Sequence, residues 1–175
     1  MLIRVRNPMI ILGIDPGTTR IGFAFLDAAY PTPRLLKAGL LPMAHKKRED
    51  RLLDIHTSLT RLITDWNPGA IGVEKLFFDK NQKTAMAVAE ARGIILLTAA
   101  IQKITLFEYT PLEVKQAVTG HGGAKKSAVE KIIRMSVPGA RELDAKDDVF
   151  DAIGIALTTH LLNRLHPTRT STQKQ

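Results

Sequence analysis

Residues 9–27, MIILGIDPGTTRIGFAFLD, set two apolar runs of strand length on either side of a turn. No other feature constrains the fold as much. The first run has no polar alternation before Asp15, as expected of a strand buried on both faces. In the second, Ile21, Phe23 and Phe25 alternate, which predicts a hairpin partner for the first. An ionised carboxylate closing a buried strand is costly unless something pairs with it. Asp15, just before Pro16-Gly17, therefore either shapes the turn as an Asx residue or holds a cation.

Periodicity and punctuation predict the remaining elements. A third strand is expected over 34–41, after the turn signal YPTP. Leu52, Ile55, Leu59, Leu62, Ile63 and Trp66 recur at helical spacing, and Pro68-Gly69 stops that helix ahead of a buried strand at 70–76. The Ala-rich stretch 81–103 predicts a long helix with a wide apolar face, and ITLFEY at 104–109 a fifth strand. Beyond Thr110-Pro111, PLEVKQAV and KKSAVEKIIRMS read as helices joined by TGHGGA, and a last helix is expected over 145–165. The order β-β-β-α-β followed by helices around one more strand is an α/β class, a mixed five-stranded sheet with helices on both faces. One domain over 9–165 is expected, with 1–8 as an N-terminal extension and 166–175 as a disordered tail.

Composition narrows the setting. The absence of cysteine excludes disulfides and thiolate metal sites. The longest apolar stretches fall far short of the roughly 20 residues of a membrane span. The start MLIRVRNP lacks an apolar signal core, so a cytoplasmic protein is expected. A net charge of +8, from 25 Lys and Arg against 17 Asp and Glu, suits a polyanionic partner such as nucleic acid, or serves general solubility.

The placement of the acids sharpens this. Glu74 sits inside the apolar AIGVEKLFF, either as a functional group or as a solvent-facing strand end. Asp148 and Asp151 are three apart, share a helix face, and precede the wholly apolar AIGIAL. Asp144 is expected to cap that helix, whereas Asp151 lies too deep to be a cap. Clustered carboxylates facing a core call for a cation. Oxygen ligands without His or Cys suit Mg²⁺ or Mn²⁺. Four carboxylates around two such ions, roughly 3.5–4 Å apart, are what two-metal phosphoryl chemistry needs. The residues thus read as a metal-dependent nuclease whose basic surface grips the polyanion.

The chain also resembles the RuvC family of crossover junction endodeoxyribonucleases, which resolve Holliday junctions. The resemblance runs over about 9–163 and is carried by GIDPGTTRIGFA, VEKLFFDKN, AEARG, YTPLEVKQAVTGHGGAKKS and DDVFDAIGIALTTH, in the family's order. It implies an RNase H-like fold, a homodimer, two Mg²⁺ per site with Mn²⁺ as substitute, and paired nicks across four-way junction DNA. It also implies a branch-migration partner, the RuvA–RuvB complex. Asp15, Glu74, Asp148 and Asp151 match the family's catalytic, metal-holding acids, with Asp147 as a competing register for Asp148. Lys115 and Lys126 match basic residues near the cleaved strand, Lys125 adjoins them as a DNA contact, and Phe77, with Phe78 beside it, matches an aromatic that wedges into the junction. Core packing of both phenylalanines stays open. Two readings compete: an actin-like ATPase, whose first phosphate loop DPGTT resembles, and a related nuclease acting on RNA precursors, which lacks VKQAVTGHGGAKKS. A non-catalytic junction binder has no use for four carboxylates facing its DNA.

Overall fold

The computed structural model describes residues 9–17, 19–45, 47–75 and 82–165. Its sheet has the strand order β3-β2-β1-β4-β5. Strands β1 (Ile10–Asp15), β2 (Gly22–Asp27) and β3 (Arg34–Leu40) form an antiparallel meander. Strands β4 (Ala70–Glu74) and β5 (Thr105–Tyr109) add to β1 in parallel. Helix α1 (Arg48–Trp66) links β3 to β4, and α2 (Gln82–Ile101) links β4 to β5. Helices α3 (Pro111–Thr119), α4 (Lys126–Ser136) and α5 (Asp147–Leu165) complete the described fold. The mixed five-stranded α/β arrangement expected from the pattern is the one observed.

Strand side chains alternate between faces, so β1 and β2 feed two separate cores. Leu12, Ile14, Phe23 and Phe25 pack with Ile55, Leu59 and Ile63 of α1 and Ala91, Ile95 and Ala99 of α2. Ile11, Ala24 and Leu26 pack on the opposite face with Ile133 of α4 and Phe150, Ala152, Ile153 and Ala156 of α5. The residues singled out by helical spacing in α1 all belong to the first core, with Leu52 and Trp66 at its partly buried margin.

Helix α5 is buried over most of its length and lies against the backbone of the central strands. Two glycines allow this. A Cβ on Gly13 would stand 2.1 Å from the Ala152 carbonyl oxygen, and one on Gly22 would stand 1.9 Å from that of Asp148. Real side chains cannot approach backbone so closely, so the bare glycine positions set how near the helix sits.

The structure corrects one helix start. Helix α5 begins at Asp147, not at 145, and its first turn closes from the Val149 amide to the Lys146 carbonyl at 3.0 Å. Asp144 therefore lies ahead of the capping position and is not the cap. Helix α3, by contrast, has a full capping box: the Thr110 hydroxyl accepts from the Glu113 amide, and the Glu113 carboxylate accepts from the Thr110 amide.

Gly22→Ala is expected to destabilise the fold by about 2–3 kcal/mol, because the added methyl must push α5 off the sheet. A fall in the urea midpoint at constant slope measures it.

Candidate active site

The register that pairs Ile14 with Val73 puts Asp15 and Glu74 one residue further along, at the adjacent C-terminal ends of parallel strands. Both belong to the odd or even set that faces α5. Asp15 follows Ile11 and Gly13 on that face, and Glu74 follows Ala70 and Gly72. Helix α5 presents Asp148 over Gly22, and Asp151 one turn later beside Ala152 over Gly13. Four acids from three elements thus gather at the C-terminal ends of the sheet's central strands.

Their mutual field is large. Burial first, then the charges of Asp151, Glu74 and Asp148, push the Asp15 carboxyl up to about 8. Burial and the Asp151 charge raise Glu74 to about 7, against the pull of Lys126 and Lys115. Asp151 is raised as well, chiefly by burial, although Lys126 opposes the shift. Such shifts mark acids that are poorly solvated and crowded by like charge.

Two side-chain cations enter the cluster. Lys126, the first residue of α4, donates from Nζ to Asp151 Oδ2 at 2.7 Å and lies 3.5 Å from Asp147. Burial would lower its ammonium, but the hydrogen bond and charge of Asp151 prevail and raise it. Arg20, from the β1–β2 turn, donates from Nε to Asp148 Oδ2 at 2.8 Å. The sequence reading missed Arg20. The available signal was a cation five residues after Asp15 within the same turn.

Of the other anticipated residues, Lys115 lies on α3, and its charge is felt at Glu74. Lys125 flanks the start of α4 as its capping residue, without a side-chain cap. Phe77 and Phe78 lie outside the described residues. Asp147 is well exposed and turned toward Lys126, which separates it from the more buried Asp148. The loop entering α5 is clamped by Arg134, which donates at 3.0 Å to the carbonyls of both Arg141 and Leu143 and stacks over Phe150. A cleft of about 670 Å³ bounded by Lys131, Arg134 and Arg141 runs along α4 and includes none of the four acids.

Among the described residues, no three acidic or histidine side chains form a ready-made ion cage. Lys126 and Arg20 hold two of the four. The donor set nonetheless fits a hard divalent cation: it is all carboxylate, partly buried and short of positive charge at Asp15 and Glu74.

A three-stranded meander extended in parallel, with acids at the ends of its central strands, defines a nuclease of the RNase H-like class. The family profile described as crossover junction endodeoxyribonuclease RuvC matches residues 11–160. The RuvC of Halothermothrix orenii is 41% identical over 160 residues, spanning 89% of this chain and 96% of that protein. The RuvC of Moorella thermoacetica is 43% identical over 150 residues, spanning 85% and 89%. The solved Thermus thermophilus RuvC in complex with a Holliday junction substrate superposes with a TM-score of 0.82 at 30% identity, covering 90% of this chain and 96% of that one. The chain belongs to the RuvC family of crossover junction endodeoxyribonucleases, metal-dependent hydrolases.

The titration of the acids carries a stability signature. Asp15 and Glu74 hold protons in the folded state between their ordinary values, 3.8 and 4.5, and about 8 and 7. The unfolded chain has released those protons, so stability of the ion-free protein should fall as pH rises through this window. Asp15→Asn should raise the melting temperature in EDTA at pH 8 and change it little at pH 4. Thermal melts at the two pH values check both expectations.

Proposed function

We propose that this chain is a Holliday junction resolvase that nicks two opposed strands of four-way junction DNA. The observation that carries the reading is the meeting of Asp15 and Glu74, from parallel strand ends, with Asp148 and Asp151 of α5 on a protein of net charge +8. Resemblance to a RuvC solved with its junction substrate supports the choice of DNA. In this reading the nuclease domain spans 9–165 and the protein works in the cytoplasm.

In this reading Asp15, Glu74, Asp148 and Asp151 hold two Mg²⁺ ions, with Mn²⁺ able to substitute. Bound there, the ions supply an activated water and a counter-charge for the leaving oxygen. The chain's own residues do the rest. Lys126, already at the cluster, passes to the scissile phosphate and stabilises the charge that develops on it. Lys115 and Lys125 neutralise neighbouring phosphates, and Phe77 supplies an apolar wedge that unstacks the junction, with Phe78 beside it at the DNA. Asp148, rather than Asp147, serves as the α5 ligand because it is more buried and lies over the sheet. Cleavage leaves 5′-phosphate and 3′-hydroxyl ends, which a ligase can seal.

A four-way junction has approximate two-fold symmetry, so a C2 dimer presents one site to each of two strands. Helix α2 supports this assembly. Its outer face exposes Met86, Leu97 and Ile101, and the open position at Gly93 admits close backbone approach. The RuvA–RuvB branch-migration complex is the further partner that family membership suggests.

Asp15→Asn, Glu74→Gln and Asp151→Asn should each reduce Mg²⁺-dependent cleavage of a synthetic junction by a factor of about 10³ or more, while junction binding in EDTA persists. Gel-shift and cleavage assays on one substrate separate the two, and undiminished cutting by any of these variants would refute the assignment. Leu97→Asp should shift the protein from dimer to monomer in sedimentation velocity and leave the individual nicks uncoupled in time.

A further inference from the structure

The cleavage reading gives Arg20 no task, yet its guanidinium is bonded to one of the four acids. Its backbone lies close against the start of the turn. The turn closes through the Gly17 amide to the Asp15 carbonyl at 3.0 Å, and a Cβ on Gly17 would stand 2.3 Å from the Arg20 carbonyl and 3.5 Å from Asp148 Oδ1. The head is held far less firmly. Only Nε engages Asp148, so the pair lacks the two-pronged geometry that makes arginine–carboxylate contacts strong. The Arg20 side chain is 44% exposed while that of Asp148 is 20% exposed. A half-exposed, singly bonded ion pair is readily exchanged.

Charge accounts for why it is there. Asp148 and Asp151, the two members of the four-acid cluster that lie on α5, each have a side-chain cation, one from the β1–β2 turn and one from α4. Among the described residues, Asp15 and Glu74 have no hydrogen-bonded side-chain cation of this kind. A divalent ion that binds the cluster must compete with Arg20 for Asp148 Oδ2. Once displaced, an arginine anchored at this turn stands beside the position where the nuclease reading puts the cleaved phosphodiester, and guanidinium suits phosphate.

We propose that Arg20 is a resident counter-cation of the acidic cluster that yields Asp148 to a divalent ion and then takes a phosphate oxygen of the cleaved strand. The proposal rests on the nuclease reading for its second half only. The first half concerns the protein and the ion alone.

The two halves predict effects of opposite sign, which a purely structural stitch between turn and helix would not produce. For Arg20→Gln, Mn²⁺ binding to the DNA-free protein, measured by calorimetry, should tighten by about threefold to tenfold because a competing charge is gone. Single-turnover cleavage of a four-way junction at saturating Mn²⁺ should slow by about tenfold or more because a charged phosphate donor is gone. Arg20→Lys, which keeps the charge, should bind Mn²⁺ close to wild type. In an Asp148→Asn background, Arg20→Gln should tighten Mn²⁺ binding no further, since the contested ligand is absent. Unchanged or weaker Mn²⁺ binding by Arg20→Gln, with a lowered melting temperature, would identify a structural ion pair and overturn the proposal. Tighter Mn²⁺ binding with undiminished cleavage would overturn the phosphate half. Failure of the wild-type protein to cut junctions would instead refute the nuclease reading, and the calorimetry would still decide the ion half.

Discussion

The contact on which this structure depends is that of α5 with the bare backbone of β1 and β2. At Gly13 and Gly22 the helix main chain meets the strand main chain with no side chain between them. Everything acidic at the site follows from that closeness. A helix held off by ordinary side chains would sit several ångströms further from the sheet and leave Asp148 and Asp151 out of reach of Asp15. The apolar side chains of α5, among them Val149, Phe150, Ile153 and Ile155, hold it down, each worth about 1.5–3 kcal/mol when buried.

That hold works against a real opposition. Folding brings like charges together in a poorly solvated place, and the upward shifts of Asp15, Glu74 and Asp151 express the resulting cost. Lys126 and Arg20 relieve part of it from two different elements. The protein therefore keeps a cluster that is unfavourable by itself, and the proposed binding of a cation would turn that cost to use, a pattern in which stability is surrendered for function. Arg134 contributes at a distance, since its bonds to the Arg141 and Leu143 carbonyls fix the loop from which α5 departs.

Much of this was legible in the sequence because the two relevant periods are strict. Alternation placed Ile21, Phe23 and Phe25 on one face, and helical spacing picked out the buried residues of α1; both sets meet in a single core. Asp15, Glu74 and Asp151 stood out because a carboxylate inside an apolar run has few structural excuses. The misplaced cap at Asp144 has a different origin. Three acids in five residues all satisfy the preference of helix starts for negative charge, so local chemistry could not choose among them, and the loop clamped by Arg134 decided the start at Asp147. Arg20 was overlooked for a related reason. Its partner lies 128 residues away, and nothing in the turn itself marks the arginine as belonging to α5.

The two-residue repeat of β1 has one more consequence, for evolution. Along this strand a side chain faces either the α1 and α2 layer or the α5 layer, with no setting between. Losing or gaining one residue upstream of Asp15 would aim the carboxylate into greasy packing on the wrong side while leaving composition, strand propensity and even the turn untouched. Point substitutions can drift through this segment one at a time. Changes of length cannot, and descendants of this chain should keep the spacing between strand start and carboxylate long after the residues in between have turned over.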